Sequence, residues 1–414
     1  MHWLSNRWLK TSVLAGSTDS YIGYLRCHGY SADTVRHYVR SVCHFAYWLT
    51  KNKIQLPRVD EKLVHQFVTE HLPACDCPGL CQHGRGDVRA ALRRLLPILR
   101  ADGRIPPPRI EFPPAVHSEL QHYDSYLAET CGLVPITRTG RLPWTGRFLV
   151  HCFGDGPVDL IRIGPREVVD FMAQPNKNYK PATMAVIAAA VRSYLRYRSF
   201  ACADDVQKLI AAVPATARWS LAALPKHLTP DEVTRFLATF NQRTVAGLRG
   251  YAMARCLLDM GLRASEVAAI QVDDLNWREG TITIRPGKSR RADTLPLPVP
   301  TGKAIVRYIR KARPKSESRA LFLRHMAPLD LPINAAFVRG HIQQAYIACG
   351  LYKRFTGTHA LRHTAAVRMR CAGASLKEIA DVLRHRNLNT TMIYTKVDLP
   401  KLAELAAPWP GGQL

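Results

Sequence analysis

The sequence predicts a mainly α-helical protein with a small antiparallel β-sheet in its C-terminal part. Three observations predict this fold class. Apolar residues recur at helical spacing along most of the chain, two proline-rich breaks divide it into three pieces, and two short strand-like segments flank a basic turn in the last piece. At 414 residues the chain is also too long for one ordinary hydrophobic core. We therefore expect several domains.

The two breaks set the predicted domain boundaries. Residues 106–114 contain five prolines and are typical of a stiff, extended linker, while residues 214–225 form a softer break. We predict a helical module over 1–105, a second helical module over 115–213, a C-terminal domain over 226–400 and a tail over 401–414.

The first two pieces resemble each other in sequence. The motif Tyr-x-x-Tyr-Leu begins at Tyr21 and again at Tyr123, and Phe45 corresponds to Phe148. Because the offset between matching positions stays between 102 and 104 residues, chance is a poor explanation. The pattern predicts two tandem helical modules.

The third piece mixes helical and strand signals. Residues 229–232 (Thr-Pro-Asp-Glu) are a helix start with threonine as the N-cap, and helical spacing continues to Ile270. Residues 281–284 and 294–297 read as two short strands, and the basic turn 285–291 lies between them. Helical signals then resume.

The charge of the chain favours a polyanionic partner. Lysine and arginine total 58 against 32 acidic residues, a formal net charge of +26. Sixteen of the 58 are lysines, so 42 are arginines, whose planar forks match phosphate oxygens. With 47% hydrophobic residues the chain is not a disordered basic tail. Nucleic acid is the first expectation, and an anionic membrane surface is the weaker alternative.

The remaining bulk features favour a cytoplasmic protein. The longest apolar run, residues 184–191, is far shorter than a membrane span, and no hydrophobic leader follows the N-terminal charges. Eleven cysteines, mostly isolated, favour a reduced compartment over a disulfide framework.

Four elements of the third piece carry residues suited to phosphate chemistry. Taken alone, each has an ordinary interpretation: a helix junction, a solvated turn lysine, a polar helix edge and a packed tyrosine. In chain order they supply Arg263, Lys288, His359 with Arg362, and His385 with Tyr394 nine residues later.

The order and spacing of these six residues resemble the tyrosine recombinase (phage integrase) family, over roughly residues 226–400. The resemblance implies a DNA breaking–rejoining fold preceded by SAM-like DNA-binding modules, with 115–213 as the core-binding domain. Residues 1–105 would then be an additional copy that contacts DNA, reads arm sites or binds protein. The family usually has Leu-Gly-His before the nucleophile, whereas this chain has Leu383-Arg384-His385, with a side chain where the backbone is normally bare.

The resemblance also implies a role for each residue. Tyr394 would attack the scissile phosphate to form a 3′-phosphotyrosyl bond, which conserves the bond energy for rejoining. Arg263 and Arg362 would stabilise the transition state, with His385 as a further donor.

Three further residues would transfer protons or hold a catalytic side chain in place. Lys288 would protonate the 5′ leaving oxygen, with Arg290 and Arg291 as the alternatives in the same turn. His359 would act as base or orienting donor for Tyr394, and Glu266 would brace Arg263. The chemistry requires neither a metal nor a nucleotide cofactor.

The implied function is site-specific recombination for integration, excision or transposition of a mobile element. The partners would be double-stranded DNA and further copies of the chain, as a tetramer on two sites, with partner recombinases of the same element. The tail 401–414 would dock on a neighbouring protomer. A topoisomerase IB-like relaxer and a catalytically inactive DNA-binding accessory protein are the alternatives.

Basic residues outside the motifs are candidates for DNA contact. Between residues 303 and 319 they alternate with apolar residues at helical spacing, which predicts one basic and one apolar helix face. A solvated face is the alternative to DNA binding. The candidates are Arg290, Arg291, Lys303, Arg307, Arg310 and Lys311.

A cysteine-rich segment lies in the first piece. Cys75, Cys77, Cys81 and His83 offer four possible zinc ligands within nine residues. Because Cys-x-Cys leaves little room for a tetrahedral chelate from one short loop, two interpretations stay open. The segment is either a structural zinc site or a loop with incidental cysteines.

Overall fold

The computed structural model describes residues 8, 11–78, 81–107, 112–176, 179–199, 203–215, 225–285, 292–329, 331–385 and 391–397. The chain forms two compact units. One unit combines Met1–Ile105 with Ser220–Leu414, and the other is Pro106–Trp219. Four predicted segments lie wholly or partly outside the described residues: 108–111 in the first linker, 216–224 in the second linker, the turn 286–291 and the tail 401–414.

The N-terminal part of the first unit is helical. Ser31 caps the longest helix there by accepting a hydrogen bond from the amide of Thr34, and a π-helical turn, Phe67–His71, continues the third helix. Tyr21 and Phe45 are buried in the core of this part. The helices are α1 (Thr18–Cys27), α2 (Ala32–Lys51), α3 (Glu61–Gln66) and α4 (Arg85–Ala101).

The second unit is also helical and buries the matching residues. Tyr123 and Phe148, the counterparts of Tyr21 and Phe45, are fully buried in its own core. The repeated positions are therefore buried in both modules. Its helices are α5 (Pro114–Glu129), α6 (Pro135–Phe153), α7 (Pro165–Asn176), α8 (Pro181–Ser199) and α9 (Ala203–Ala212).

The C-terminal part of the first unit is helical around a small sheet. The Thr229 cap is confirmed, with a reciprocal bond from Glu232. The helices are α10 (Pro230–Ala238), α11 (Val245–Asp259), α12 (Ala264–Ala269), α13 (Val299–Lys311), α14 (Ala335–Ala348), α15 (His359–Cys371) and α16 (Leu376–Leu383). The strands are β1 (Leu275–Asn276), β2 (Thr281–Ile284) and β3 (Asp293–Pro296). A 3₁₀ helix covers Met392–Val397.

The sheet has the antiparallel order β1-β2-β3, with Ile282 opposite Leu295. The third strand begins and ends one residue earlier than predicted. The predicted continuous helical run to Ile270 is instead three helices, because the chain turns after α10 and again at Gly261, whose φ is +60°.

The N-terminal module contacts the C-terminal part within the first unit. The amide of Leu329 donates a 2.9 Å hydrogen bond to the carbonyl of His28, and the Leu329 side chain packs closely over Gly29. The module thus touches the part of the chain that carries Arg263, Arg362 and Tyr394. Among the described residues no helix is long and apolar enough to cross a membrane.

Candidate active site

Arg263 stands at the N-cap position of α12, where Glu266 holds it. The Arg263 guanidinium donates a 2.7 Å hydrogen bond to Oε1 of Glu266, and the Arg263 amide donates to Oε2 at 2.6 Å. Burial raises the pKa of Glu266, but Arg384 and Arg263 outweigh burial and leave this pKa below its usual value. Glu266 is therefore an ionised brace, as expected, and 40% of the Arg263 side chain stays exposed.

Arg362 lies on α15 and is almost completely buried. Its guanidinium donates to the carbonyl oxygen of Gly261 at 2.5 Å and to that of Leu383. Burial, followed by the positive charge of Arg263, lowers the pKa of Arg362 to about 10. The side chain therefore remains a cation at neutral pH, in an environment where its charge acts strongly.

Gly261 makes this contact possible. Its φ of +60° is readily adopted only by glycine, and a Cβ at this position would stand 2.4 Å from Cδ2 of Leu383. The missing side chain thus lets the Gly261 turn approach Leu383, so Arg362 can bond both carbonyls.

Arg384 is the family's glycine position, and the structure shows why glycine suits it. Arg384 caps α16 in the left-handed conformation, with φ 55° and ψ 52°. Its guanidinium donates a 2.6 Å hydrogen bond to Oε2 of Glu266, so one carboxylate joins Arg384 to Arg263. The departure from Leu-Gly-His therefore adds a third arginine to the site and a second ion pair to Glu266.

His385 follows directly and is fixed by a hydroxyl. Nδ1 of His385 lies 2.7 Å from Oγ1 of the fully buried Thr391. Burial, with help from Arg362 and Arg263, lowers the pKa of His385 to about 4. The imidazole is therefore neutral at pH 7.

Tyr394 is 1% exposed and belongs to one buried hydrophobic cluster with Ala366, Val367, Ile379 and Leu383. Its hydroxyl lies 2.8 Å from Nδ1 of His363. Burial raises the pKa of Tyr394 to about 12, against the opposing charge of Arg362. The phenol is therefore protonated at neutral pH.

The described residues thus bring four of the six predicted residues together. The carbonyls of Leu383 and Arg384 accept from Arg362 and Arg263, His385 is next in the chain, and Tyr394 lies in one buried cluster with Leu383. Lys288, Arg290 and Arg291 lie outside the described residues.

His359 does not have the contact expected of it. It is exposed on the first turn of α15, and the histidine bonded to Tyr394 is His363, one helical turn further on. Sequence reasoning also missed Thr391 and the pairing of Arg384. The available signal for His363 was its place directly after Arg362 and four residues after His359.

The predicted amphipathic character of α13 is confirmed. Ala304, Ile305 and Tyr308 are buried on one face. The basic side chains Lys303, Arg307, Arg310 and Lys311 are exposed on the other. Arg307 also donates a 2.7 Å hydrogen bond to Oε1 of Gln242.

Comparisons with known proteins agree with this arrangement. The family model described as "Phage integrase family" matches residues 226–399. The chain is 35% identical over 386 residues to a putative integrase/recombinase, y4rA, of Sinorhizobium fredii, covering 92% of this chain and 91% of the relative. It is 28% identical over 301 residues to the tyrosine recombinase XerC of Syntrophus aciditrophicus, covering 68% of this chain and 94% of the relative.

Solved structures share the fold. The XerH site-specific recombinase, bound to its palindromic difH substrate in a post-cleavage complex, superposes with a TM-score of 0.58 at 16% identity, covering 84% of this chain and 94% of that one. The Tn1549 transposon integrase bound to transposon right-end DNA gives a TM-score of 0.54 at 17% identity, covering 69% and 99%. With the y4rA match over nearly the whole chain and the site geometry above, the chain belongs to the phage integrase family of tyrosine recombinases.

Proposed function

We propose that this protein is a site-specific recombinase that cuts and rejoins DNA through a 3′-phosphotyrosyl bond at Tyr394. One observation carries the proposal: Arg263 and Arg362 both bond the backbone of residues 383–384, His385 follows directly, and Tyr394 shares a buried cluster with Leu383. A nucleophile, two cations and a neutral imidazole are the groups that phosphoryl transfer to a protein hydroxyl requires.

The proposed reaction exchanges one ester bond at phosphorus for another. The Tyr394 hydroxyl oxygen forms a bond to phosphorus, the bond from phosphorus to the 5′ oxygen breaks, and the phenolic proton passes to a base. Lys288 gives a proton to the departing 5′ oxygen. Rejoining is the reverse reaction, with the 5′ hydroxyl of a DNA strand as the nucleophile.

The two arginines differ in a way that suits different tasks. Arg362 is buried and bonded to two carbonyls, so its position is fixed before substrate arrives. Arg263 keeps 40% of its side chain exposed while Glu266 orients it, so it can reach a phosphate that approaches from solvent. Together they neutralise the charge that gathers on the phosphate oxygens.

His363 is placed to accept the phenolic proton. Burial, His359 and Arg362 lower the pKa of His363 to about 4, so Nδ1 or Nε2 carries a lone pair at neutral pH. We assign the orienting and proton-accepting role to His363, because its Nδ1 is the ring atom bonded to the Tyr394 hydroxyl. His359 would then contact the DNA phosphate.

The substrate is proposed to be the end sequences of a mobile element. The relatives named putative integrase/recombinase and the fold shared with a transposon integrase support this class. The exposed basic face of α13 provides phosphate contacts, and a tetramer on two DNA sites, with partner recombinases of the same element, would perform strand exchange.

The test uses nicked suicide duplexes made from the DNA that flanks the gene. After cleavage opposite the nick, a short strand diffuses away and traps the covalent adduct. We expect an adduct with the wild-type chain and none with Tyr394→Phe. Tyr352→Phe is the matched control, because Tyr352 is 49% exposed in the same domain.

Two other outcomes would overturn the proposal. A shifted DNA band without any adduct would identify a DNA-binding accessory protein. Adduct formation on any duplex, with relaxation of supercoiled plasmid, would identify a topoisomerase-like relaxer.

A further inference from the structure

The N-terminal module contains a cluster of four metal-ligating side chains that the recombination chemistry does not use. They are His44, His71, Cys75 and Cys77, and their ligand atoms all lie within 4.8 Å of one another. We propose that these four residues bind one structural zinc ion.

The distances fit a tetrahedral ion. Zinc–nitrogen bonds of about 2.0–2.1 Å and zinc–sulfur bonds of about 2.3 Å give tetrahedral edges of about 3.3 Å between two nitrogens and about 3.6 Å between nitrogen and sulfur. Nε2 of His44 and Nε2 of His71 are 3.3 Å apart. Cys75 Sγ lies 3.2 Å from the His44 nitrogen, and Cys77 Sγ lies 3.5 Å from the His71 nitrogen.

The histidine that anchors the cluster is already oriented for a metal. His44 is completely buried on α2, and its Nδ1 donates to the carbonyl oxygen of Gln82 at 3.4 Å. A carbonyl only accepts, so the Nδ1 atom carries the proton and Nε2 presents its lone pair to the cluster. A backbone carbonyl on the second ring nitrogen is the usual support of a zinc-bound histidine.

The Cys75 thiol also accepts a backbone hydrogen bond. The amide of Cys77 donates to Cys75 Sγ at 3.4 Å, a contact that stabilises a thiolate. Phe67 and His71 stack at 5.2 Å between centroids, and Phe67 also meets the edge of His44 at 5.1 Å. The Phe67 ring thus shields one side of the cluster from water. This shielding strengthens the attraction between the thiolates and a metal cation.

The ligand set selects the metal and the kind of site. Two thiolates and two imidazoles favour zinc over magnesium or calcium, which prefer oxygen ligands. Because four protein ligands complete the coordination sphere, no position remains for substrate, and the site is structural. It would join α2 and the π-helical turn to the loop that leads to α4.

Two of the four zinc ligands suggested by the sequence are therefore replaced. Cys81 and His83 are not members of the group, although Cys81 Sγ lies 3.8 Å from the Cys77 carbonyl. His44 and His71 replace them. This difference provides matched control variants, because Cys81 and His83 lie in the same loop as the proposed ligands.

The first measurement is the zinc content of the full-length chain, purified without chelators, by mass spectrometry of the metal. We expect about one zinc per chain. The double variant Cys75→Ala/Cys77→Ala should lose it, whereas Cys81→Ala and His83→Ala should retain it. Loss of zinc in Cys81→Ala equal to that in the double variant would overturn the ligand assignment.

A second measurement does not depend on variants that could fail to fold. Cobalt(II) exchanged into the wild-type chain should give the intense visible bands of a tetrahedral site and a thiolate-to-metal band in the near ultraviolet. A chelator should lower the Tm of the full-length chain, and added zinc should restore it. A wild-type chain that holds no zinc and shows no cobalt bands would overturn the proposal.

Discussion

Nδ1 of His363 lies 2.8 Å from the hydroxyl oxygen of Tyr394, on the helix that also carries Arg362. The pKa of the imidazole is lowered to about 4 and that of the phenol is raised to about 12, so both groups are neutral at pH 7. A neutral phenol thus faces a neutral imidazole, which is the pair from which the proton transfer of the proposed reaction would start.

We predict that His363→Ala slows formation of the covalent adduct about 100-fold, because a positioned proton acceptor contributes roughly this factor. DNA affinity should be unchanged. Single-turnover kinetics on a suicide duplex, with a mobility-shift titration beside it, separates the two effects. An adduct rate equal to that of the wild type would mean that His363 only packs against the tyrosine.

The stability of the chain should fall on acidification. The pKa values of His363 and His385 are about 4 in the folded chain, against an ordinary value of about 6.5 when unfolded. Between these values the unfolded chain binds more protons, so the free energy of unfolding decreases as the pH falls from about 6.5 to about 4. Thermal melts across this range should show a shallower decrease for His363→Gln and the wild-type slope for His122→Gln, since His122 is exposed.

Two variants of Arg384 separate the effect of its left-handed conformation on stability from the effect of its ion pair. Arg384→Ala loses the bond to Glu266 and keeps the strained φ of 55°, whereas Arg384→Gly loses the same bond and relieves the strain. We expect the glycine variant to be more stable than the alanine variant by about 1 kcal/mol, the reverse of their usual order in helices. Denaturant unfolding of the two variants measures the difference, and the usual order would contradict the assigned conformation.

Gly261→Ala should destabilise the site through contact as well as conformation. Its Cβ would stand 2.4 Å from Leu383 Cδ2, so we expect a loss of at least about 2 kcal/mol from strain and overpacking together. Gly280→Ala is the control, because Gly280 has a φ of +63° and no atom within 4 Å of the added Cβ. Equal losses of unfolding free energy in the two variants would show that the Leu383 side chain moves aside without an energetic penalty.

The basic face of α13 gives a salt-dependent prediction. The double variant Lys303→Gln/Arg310→Gln should weaken DNA binding at every sequence. It should also reduce the slope of log affinity against log salt by about one for each phosphate contact removed. Fluorescence anisotropy at several salt concentrations measures the slope. An unchanged slope would identify the face as solvated only.

The sequence was informative where function depends on local spacing. Short motifs contain Arg263, Arg362, His385 and Tyr394, and Thr229 caps its helix through a residue three positions away. Neighbouring residues in the sequence were therefore sufficient to predict these features. The left-handed backbone at Arg384 was not predicted, because an arginine gives no signal for this conformation, which belongs to the C-cap of α16.

The remaining gaps arise from tertiary contacts. His363 and Tyr394 are 31 residues apart, and His44 is 27 residues from His71, so only the packing of separate helices brings each pair together. The cysteine segment pointed to a metal, but two of the proposed ligands come from elements outside that segment.

The hydrogen bond between His385 and Thr391 has a mechanical consequence. Thr391 is three residues before Tyr394, and the 3₁₀ helix that carries the tyrosine begins right after it. Any advance of the tyrosine toward a phosphate must either carry His385 along or release it from the hydroxyl. In the proposed reaction, the orientation of the His385 imidazole is therefore coupled through Thr391 to the position of Tyr394, so the two side chains would act as one segment during cleavage.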